Sequence, residues 1–141
     1  MLVSVEMDIT YEGDLHCLAS HGPSGQTITT DAPVDNGGRG AAFSPTDLVA
    51  AALATCMVTI MGLYARRAGL DITGTRVHVT KDMASFPVRR VSTIKLTVTL
   101  PKGKSFTAEQ RAKLEKAAEL CPVKESLHPE VRMVLEFVYP D

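Results

Sequence analysis

The sequence predicts an α+β fold, with antiparallel sheets around one long central helix. Three observations carry this. Strand-like segments come in runs and do not alternate strictly with helices, which separates α+β from α/β chains. Leu48–Ala65 is a stretch of 18 uncharged residues, rich in Ala and Thr, and has the length of a helix. The order of elements reads βββ-α-ββ-α-α-β with no linker and no internal repeat, so residues 1–141 form a single domain.

Each element has a local reason. Leu2–Thr10 alternates loosely and runs into the turn signal Tyr-Glu-Gly-Asp, which makes it a hairpin with Leu15–Ala19. Gln26–Thr30 is a short β-branched strand, and Asp31–Gly40 is a loop dense in Asp, Pro, Asn and Gly. Ser44-Pro45 then opens a helix, since Ser caps well and Pro suits the first helical position. Asp47 sits in the first turn, Arg66-Arg67 in the last, and Gly69 ends the helix after Ala68. At 1.5 Å per residue it is roughly 36 Å long. Its apolar residues go all the way round, so it must be surrounded by protein, and one short chain has little to surround it with. Thr75–Lys81 and Arg89–Leu100 are the clearest strands, joined by a hairpin loop. Thr107-Ala-Glu-Gln110 is a capping box that opens a helix to Leu120. Pro122–Leu127 is a short third helix and Val131–Val138 a last strand.

Composition excludes several classes of function. Hydrophobic residues make up 45% and charged residues 22%, too apolar for a disordered tail and too mixed for a coiled coil. The net charge of −1, with no basic block, argues against nucleic-acid binding. That average hides an asymmetry: residues 1–65 hold seven acids and one cation, Arg39, whereas residues 66–141 hold 14 cations and nine acids. Attraction between the two halves, within one chain or between two, is one reading; chance is the other. The start of the chain lacks the basic and apolar regions of a signal peptide. The long apolar helix is read as a core helix and not a membrane span. Three cysteines, an odd and sparse number, point to free or redox-active thiols in a reducing, cytoplasmic compartment.

The cysteines are the main candidates for chemistry. Cys56 lies mid-helix, 11 residues beyond Pro45, too far from the helix start for the dipole to activate it. It reads either as a small buried hydrophobe or as a nucleophile that needs a nearby cation. Cys121 precedes Pro122 at a helix start, where unpaired N–H groups favour a thiolate; the alternative is a plain helix stop. Cys17 is mid-strand and reads as structural. Arg39, in Gly37-Gly-Arg-Gly40, is either an ion-pair partner for a thiolate or a solvated loop residue. No metal site and no cofactor are expected: the chain lacks CxxC, lacks paired His/Cys ligand spacing, and contains neither G-x-S-x-G nor G-x-G-x-x-G.

Phe43-Ser-Pro-Thr-Asp-Leu-Val-Ala-Ala-Ala-Leu-Ala-Thr-Cys56-Met resembles the signature helix of the OsmC/Ohr family, the osmotically induced and organic hydroperoxide resistance proteins. Cys121-Pro-Val-Lys-Glu-Ser-Leu127 is similar to that family's second cysteine and the short helix behind it. The resemblance covers nearly the whole chain. It implies an intertwined homodimer and a thiol peroxidase acting on organic hydroperoxides in oxidative-stress defence. The implied catalytic residues are Cys56 as the peroxidatic thiol, Cys121 as the resolving thiol and Arg39 as the cation. The implied cycle runs through a Cys56 sulfenic acid and an intrachain disulfide, reduced by an external dithiol such as a lipoyl protein. The sequence also departs from the better-studied branches, which carry Glu directly after the helix-opening Pro. Here that position is Thr46, and Asp47 lies nine residues from Cys56, on the opposite helix face. The competing expectation is a non-enzymatic domain of the same fold that binds a small apolar ligand or a protein partner.

Overall fold

The structure is a computed structural model and describes residues 3–141. Its elements are β1 (Met7–Tyr11), β2 (His16–His21), β3 (Thr27–Asp31), α1 (Pro45–Ala68), β4 (Arg76–Ala84), β5 (Arg90–Thr99), α2 (Ala108–Glu119), α3 (Pro122–Ser126) and β6 (Arg132–Val138). The α+β class and the long helix stand. The start of the first expected strand, Leu2, lies outside the described residues; the strand itself begins at Met7. Contacts group the chain into two compact units that divide inside α1, between Leu48 and Val49.

The first unit carries a three-stranded antiparallel sheet in the order β1-β2-β3. Its register puts Ile9 beside Ala19 and Ala19 beside Ile28, and it puts His16 beside Asp31. Met7, Ile9 and Tyr11 alternate onto one face, and all three are exposed. The loop after β3 holds one 3-10 turn, Val34–Asn36, and folds back so that Asp31 N–H donates to Phe43 O and Gly40 N–H to Ala32 O. Gly38 is required here: a Cβ on it would stand 1.9 Å from Ala32 O. The start of α1 closes this unit with a reciprocal cap, Asp47 N–H to Ser44 Oγ at 3.0 Å and Ser44 N–H to Asp47 Oδ2 at 2.9 Å. Asp47 therefore serves the helix end.

The second unit holds the core. Leu53, Met57 and Met61 from α1 are fully buried with Ile94, Leu96 and Val98 from β5 and Leu114 from α2. Each such side chain contributes about 1.5–3 kcal/mol by leaving water. On β5 the buried residues alternate, so one face of the strand supplies the core. The sheet order is β4-β5-β6; β4 pairs with β5 antiparallel, but β6 runs parallel to β5. This departs from the all-antiparallel expectation. The crossover through α2 and α3 is what a parallel neighbour needs, because a short hairpin cannot join parallel strands. A bulge between Asp82 and Met83 lets β4 continue to Ala84, past the expected strand end at Lys81. α2 begins at the expected box, with Thr107 Oγ1 and Gln110 each accepting from the other's backbone N–H.

Candidate functional site

Two of the three sequence candidates meet in the second unit. Cys56 is half-buried on α1 and packs against the core cluster that contains Cys121. Cys121 is wholly buried at the N-cap of α3, with Pro122 in the first helical turn. The two thiols lie within hydrogen-bonding reach of each other, across 65 positions of sequence. Burial, and then the hydrogen bond to Cys56, push the Cys121 thiol above its ordinary pKa. Position alone favours a Cys121 thiolate; burial reverses this, because a helix of five residues brings little dipole against full desolvation. Cys121 is thus held neutral, beside a partner in contact with it. All three cysteines are free thiols.

Beside this pair lies a pocket of about 300 Å³ lined by Val49, Ala52, Pro122, Val123, Ser126 and Leu127. Ala52 precedes Cys56 by one helical turn and Val49 by two, so pocket and thiol share one stripe of α1. Ser126 is its only polar side chain, and the hydroxyl is occupied, donating to Pro122 O at 2.8 Å. The pocket therefore offers apolar surface next to a sulfur pair, which suits an apolar molecule carrying one reactive polar group. Among the described residues no cluster of His, Cys, Asp or Glu is arranged to hold a metal ion.

Arg39, the third candidate, belongs to the first unit. Its guanidinium is 61% exposed and stands 4.0 Å from Asp31 Oδ1. Asp31, read from sequence only as the first residue of a loop, is 2% exposed and the centre of a polar cluster. Its Oδ1 lies 2.6 Å from His16 Nδ1, and its Oδ2 accepts from Ala41 N–H at 3.0 Å. His16 Nε2 in turn lies 3.5 Å from Glu12. The hydrogen bond from His16 holds the Asp31 carboxyl below its ordinary pKa against the opposing effect of burial, with help from Ala41 N–H and Arg39. An ionised carboxylate only accepts, so His16 Nδ1 carries the proton. The β2–β3 register, which sets His16 opposite Asp31, is the signal that exposes this cluster.

The family model described as "OsmC-like protein" matches residues 37–136. The chain belongs to the OsmC-like family. A solved structure from Psychrobacter arcticus 273-4, assigned provisionally to osmotic stress induction and detoxification response, is 42% identical; the alignment covers 97% of this chain and 98% of that one, with a TM-score of 0.89. An organic hydroperoxide resistance protein OsmC from Legionella pneumophila shares the fold at 17% identity, covering 98% of both chains with a TM-score of 0.77. So does an organic hydroperoxide resistance protein from Elizabethkingia anophelis, at 17% identity, 99% and 98% coverage and a TM-score of 0.77. No curated protein matches. Within this OsmC-like chain, Thr46 follows the helix-opening Pro45, and the buried carboxylate beside Arg39 is Asp31, on β3.

Proposed function

We propose that this OsmC-like protein is a Cys-dependent peroxidase that reduces organic hydroperoxides. One observation carries the reading: a half-buried thiol and a fully buried neutral thiol in contact, beside an apolar pocket. In the first step the Cys56 thiolate attacks the terminal peroxide oxygen. The O–O bond breaks, the alkoxide takes a proton and leaves as the alcohol, and Cys56 becomes a sulfenic acid. Cys121 then gives up its proton, and its sulfur attacks Cys56 Sγ. The sulfenic oxygen leaves as water and a Cys56–Cys121 disulfide remains. An external dithiol, such as a lipoyl group on a protein, restores both thiols. A buried second thiol fits this order, since a neutral sulfur does not compete for the peroxide. Arg39 is the cation we assign to the Cys56 thiolate.

The assembly we propose is an interlocked homodimer in the cytoplasm. Its support is apolar surface that one chain leaves open, including Met7, Ile9 and Tyr11 on the first sheet and Leu63 on α1. The decisive test is a thiol titration before and after one equivalent of cumene hydroperoxide. A peroxidase loses two thiols per chain. A chain that keeps all three is instead a binding domain for a small apolar ligand or a partner.

A further inference from the structure

The two sulfurs of a Cys56–Cys121 disulfide are not equivalent toward a reducing thiol. Cys121 is 0% exposed and belongs to the buried core cluster, together with Leu53, Met57 and Leu114. Cys56 packs against that cluster from outside and keeps part of its surface open. Both residues lie in the second compact unit, one on α1 and the other at the start of α3. A thiolate attacks a disulfide sulfur from the side opposite the bond that breaks, and the rate depends on access to that sulfur. For Cys121 every approach runs through packed core, so attack there must wait for α3 to open locally. Cys56 needs no such opening. One effect runs the other way. A thiol of high pKa leaves slowly, and burial raises the Cys121 thiol. The backbone N–H groups of Val123 and Lys124 act against that rise. They belong to the first turn of α3, where no preceding helical carbonyl claims them. Access decides the balance, because a closed sulfur does not react until the fold opens.

We propose that the reducing thiolate attacks Cys56 Sγ, that Cys121 is the leaving group, and that the Val123 and Lys124 N–H groups receive its charge. The inference rests on the Cys56–Cys121 disulfide of the proposed cycle. The first thiolate of the dithiol bonds to Cys56 Sγ. The S–S bond breaks, and its electron pair leaves on Cys121, which takes up a proton. The second thiol of the dithiol gives up its proton and attacks the dithiol's own first sulfur, and Cys56 departs as the thiolate. The dithiol is oxidised to a disulfide by two electrons, and the protein disulfide is reduced by the same two. Cys56 is thus the sulfur that meets both the oxidant and the reductant, and Cys121 meets only Cys56.

The test uses the full unmodified chain and needs no peroxide. Diamide oxidises the two thiols, and peptide mass mapping verifies the Cys56–Cys121 bond. The monothiol 2-mercaptoethanol then reacts briefly, acid stops the reaction, and the released thiol is capped with N-ethylmaleimide in urea. Mapping should find mercaptoethanol on Cys56 and the cap on Cys121, exceeding the reverse by at least about tenfold. The same exchange run in denaturing urea should lose most of that preference, because burial is its cause. Mercaptoethanol on Cys121, or on both sulfurs equally, in the folded protein overturns the inference and leaves the disulfide standing. A preference that persists unchanged in urea overturns it too. If diamide forms no Cys56–Cys121 bond, the disulfide cycle falls and this step with it. Peroxide consumption is measured separately, so failure of the peroxidase reading is seen on its own.

Discussion

One equivalent of hydroperoxide should convert this protein into a crosslinked and markedly more stable form. The perturbation is cumene hydroperoxide at one equivalent per chain with no reductant. The geometry sets the product: Cys56 and Cys121 are in contact. The bond closes a loop of 65 positions. In the chain-entropy treatment, removing that loop's freedom from the unfolded state stabilises the fold by about 4 kcal/mol, less any strain. For a chain of 141 residues the entropy of unfolding is on the order of 0.3 kcal/mol/K, so Tm should rise by roughly 10 °C. Three measurements check this: thiol titration falling from three to one per chain, peptide mass mapping that finds Cys56 joined to Cys121, and calorimetry. Cys121→Ser should also consume one equivalent, but it should gain no stability and pass to the sulfinic acid with excess oxidant. Three thiols persisting after peroxide would refute the reasoning, and so would a crosslink through Cys17.

Cys56→Ser should abolish peroxide consumption with little loss of fold, since the volume change is small, whereas Cys17→Ser should leave the rate unchanged; stopped-flow kinetics and circular dichroism of both variants check this. Sedimentation at micromolar concentration should give a species of about 30 kDa, twice the 15.2 kDa chain, and a stable single-chain mass would remove the interlocked dimer. Acid unfolding should carry a contribution from Asp71. Hydrogen bonds from Thr73, and then the Lys104 ammonium, lower the Asp71 pKa to about 2. A lowered folded pKa means its contribution is present above the ordinary carboxylate range and fades as pH falls toward 2. Asp71→Asn should flatten that part of the stability curve. At the alkaline end the sign reverses: Cys121 is raised, so its contribution is complete below the ordinary thiol value of 9.0 and is lost above it, and Cys121→Ser should flatten urea midpoints there.

What the sequence revealed and what it concealed follow from how local the signals are. The ends of α1 were readable because Ser44, Pro45, Asp47 and Gly69 act within a turn of the helix end, and the capping box of α2 is equally local. The direction of β6 was not readable, because alternation along a strand is the same whether its neighbour runs parallel or antiparallel. The state of Cys121 depends on burial by residues distant in sequence, and that burial outweighs the helix start. Asp31 was concealed for a similar reason. Its loop neighbours are turn-formers, and only the pairing of β2 with β3 brings His16 to it. The contact between Cys56 and Cys121 is implied only by the family resemblance, because no spacing rule joins residues so far apart.

The apolar circumference of α1 still needs a cause. Its most apolar 18-residue window has a mean hydropathy of 2.0, enough by length and composition for a membrane span, and 33% of that window is buried. A lipid environment fits poorly with the rest of the helix. Leu53, Met57 and Met61 are already sealed in a protein core, and Asp47, Arg66 and Arg67 hold its ends as in a water-exposed helix. The face left over is built differently from a lipid-facing one. Thr59, Gly62, Leu63, Arg66 and Asp71 are among the residues that line an open cleft of about 650 Å³. A small residue such as Gly62 lets another backbone approach closely, and charges in the cleft orient it. The first sheet offers Met7, Ile9, Tyr11 and Ile28 to solvent in the same way, on the half of the chain that carries the acids. An occupant of either surface must itself be apolar and carry the opposite charge. The homodimer proposed above would supply such an occupant, because the acidic residues 1–65 of one copy could meet the basic residues 66–141 of the other.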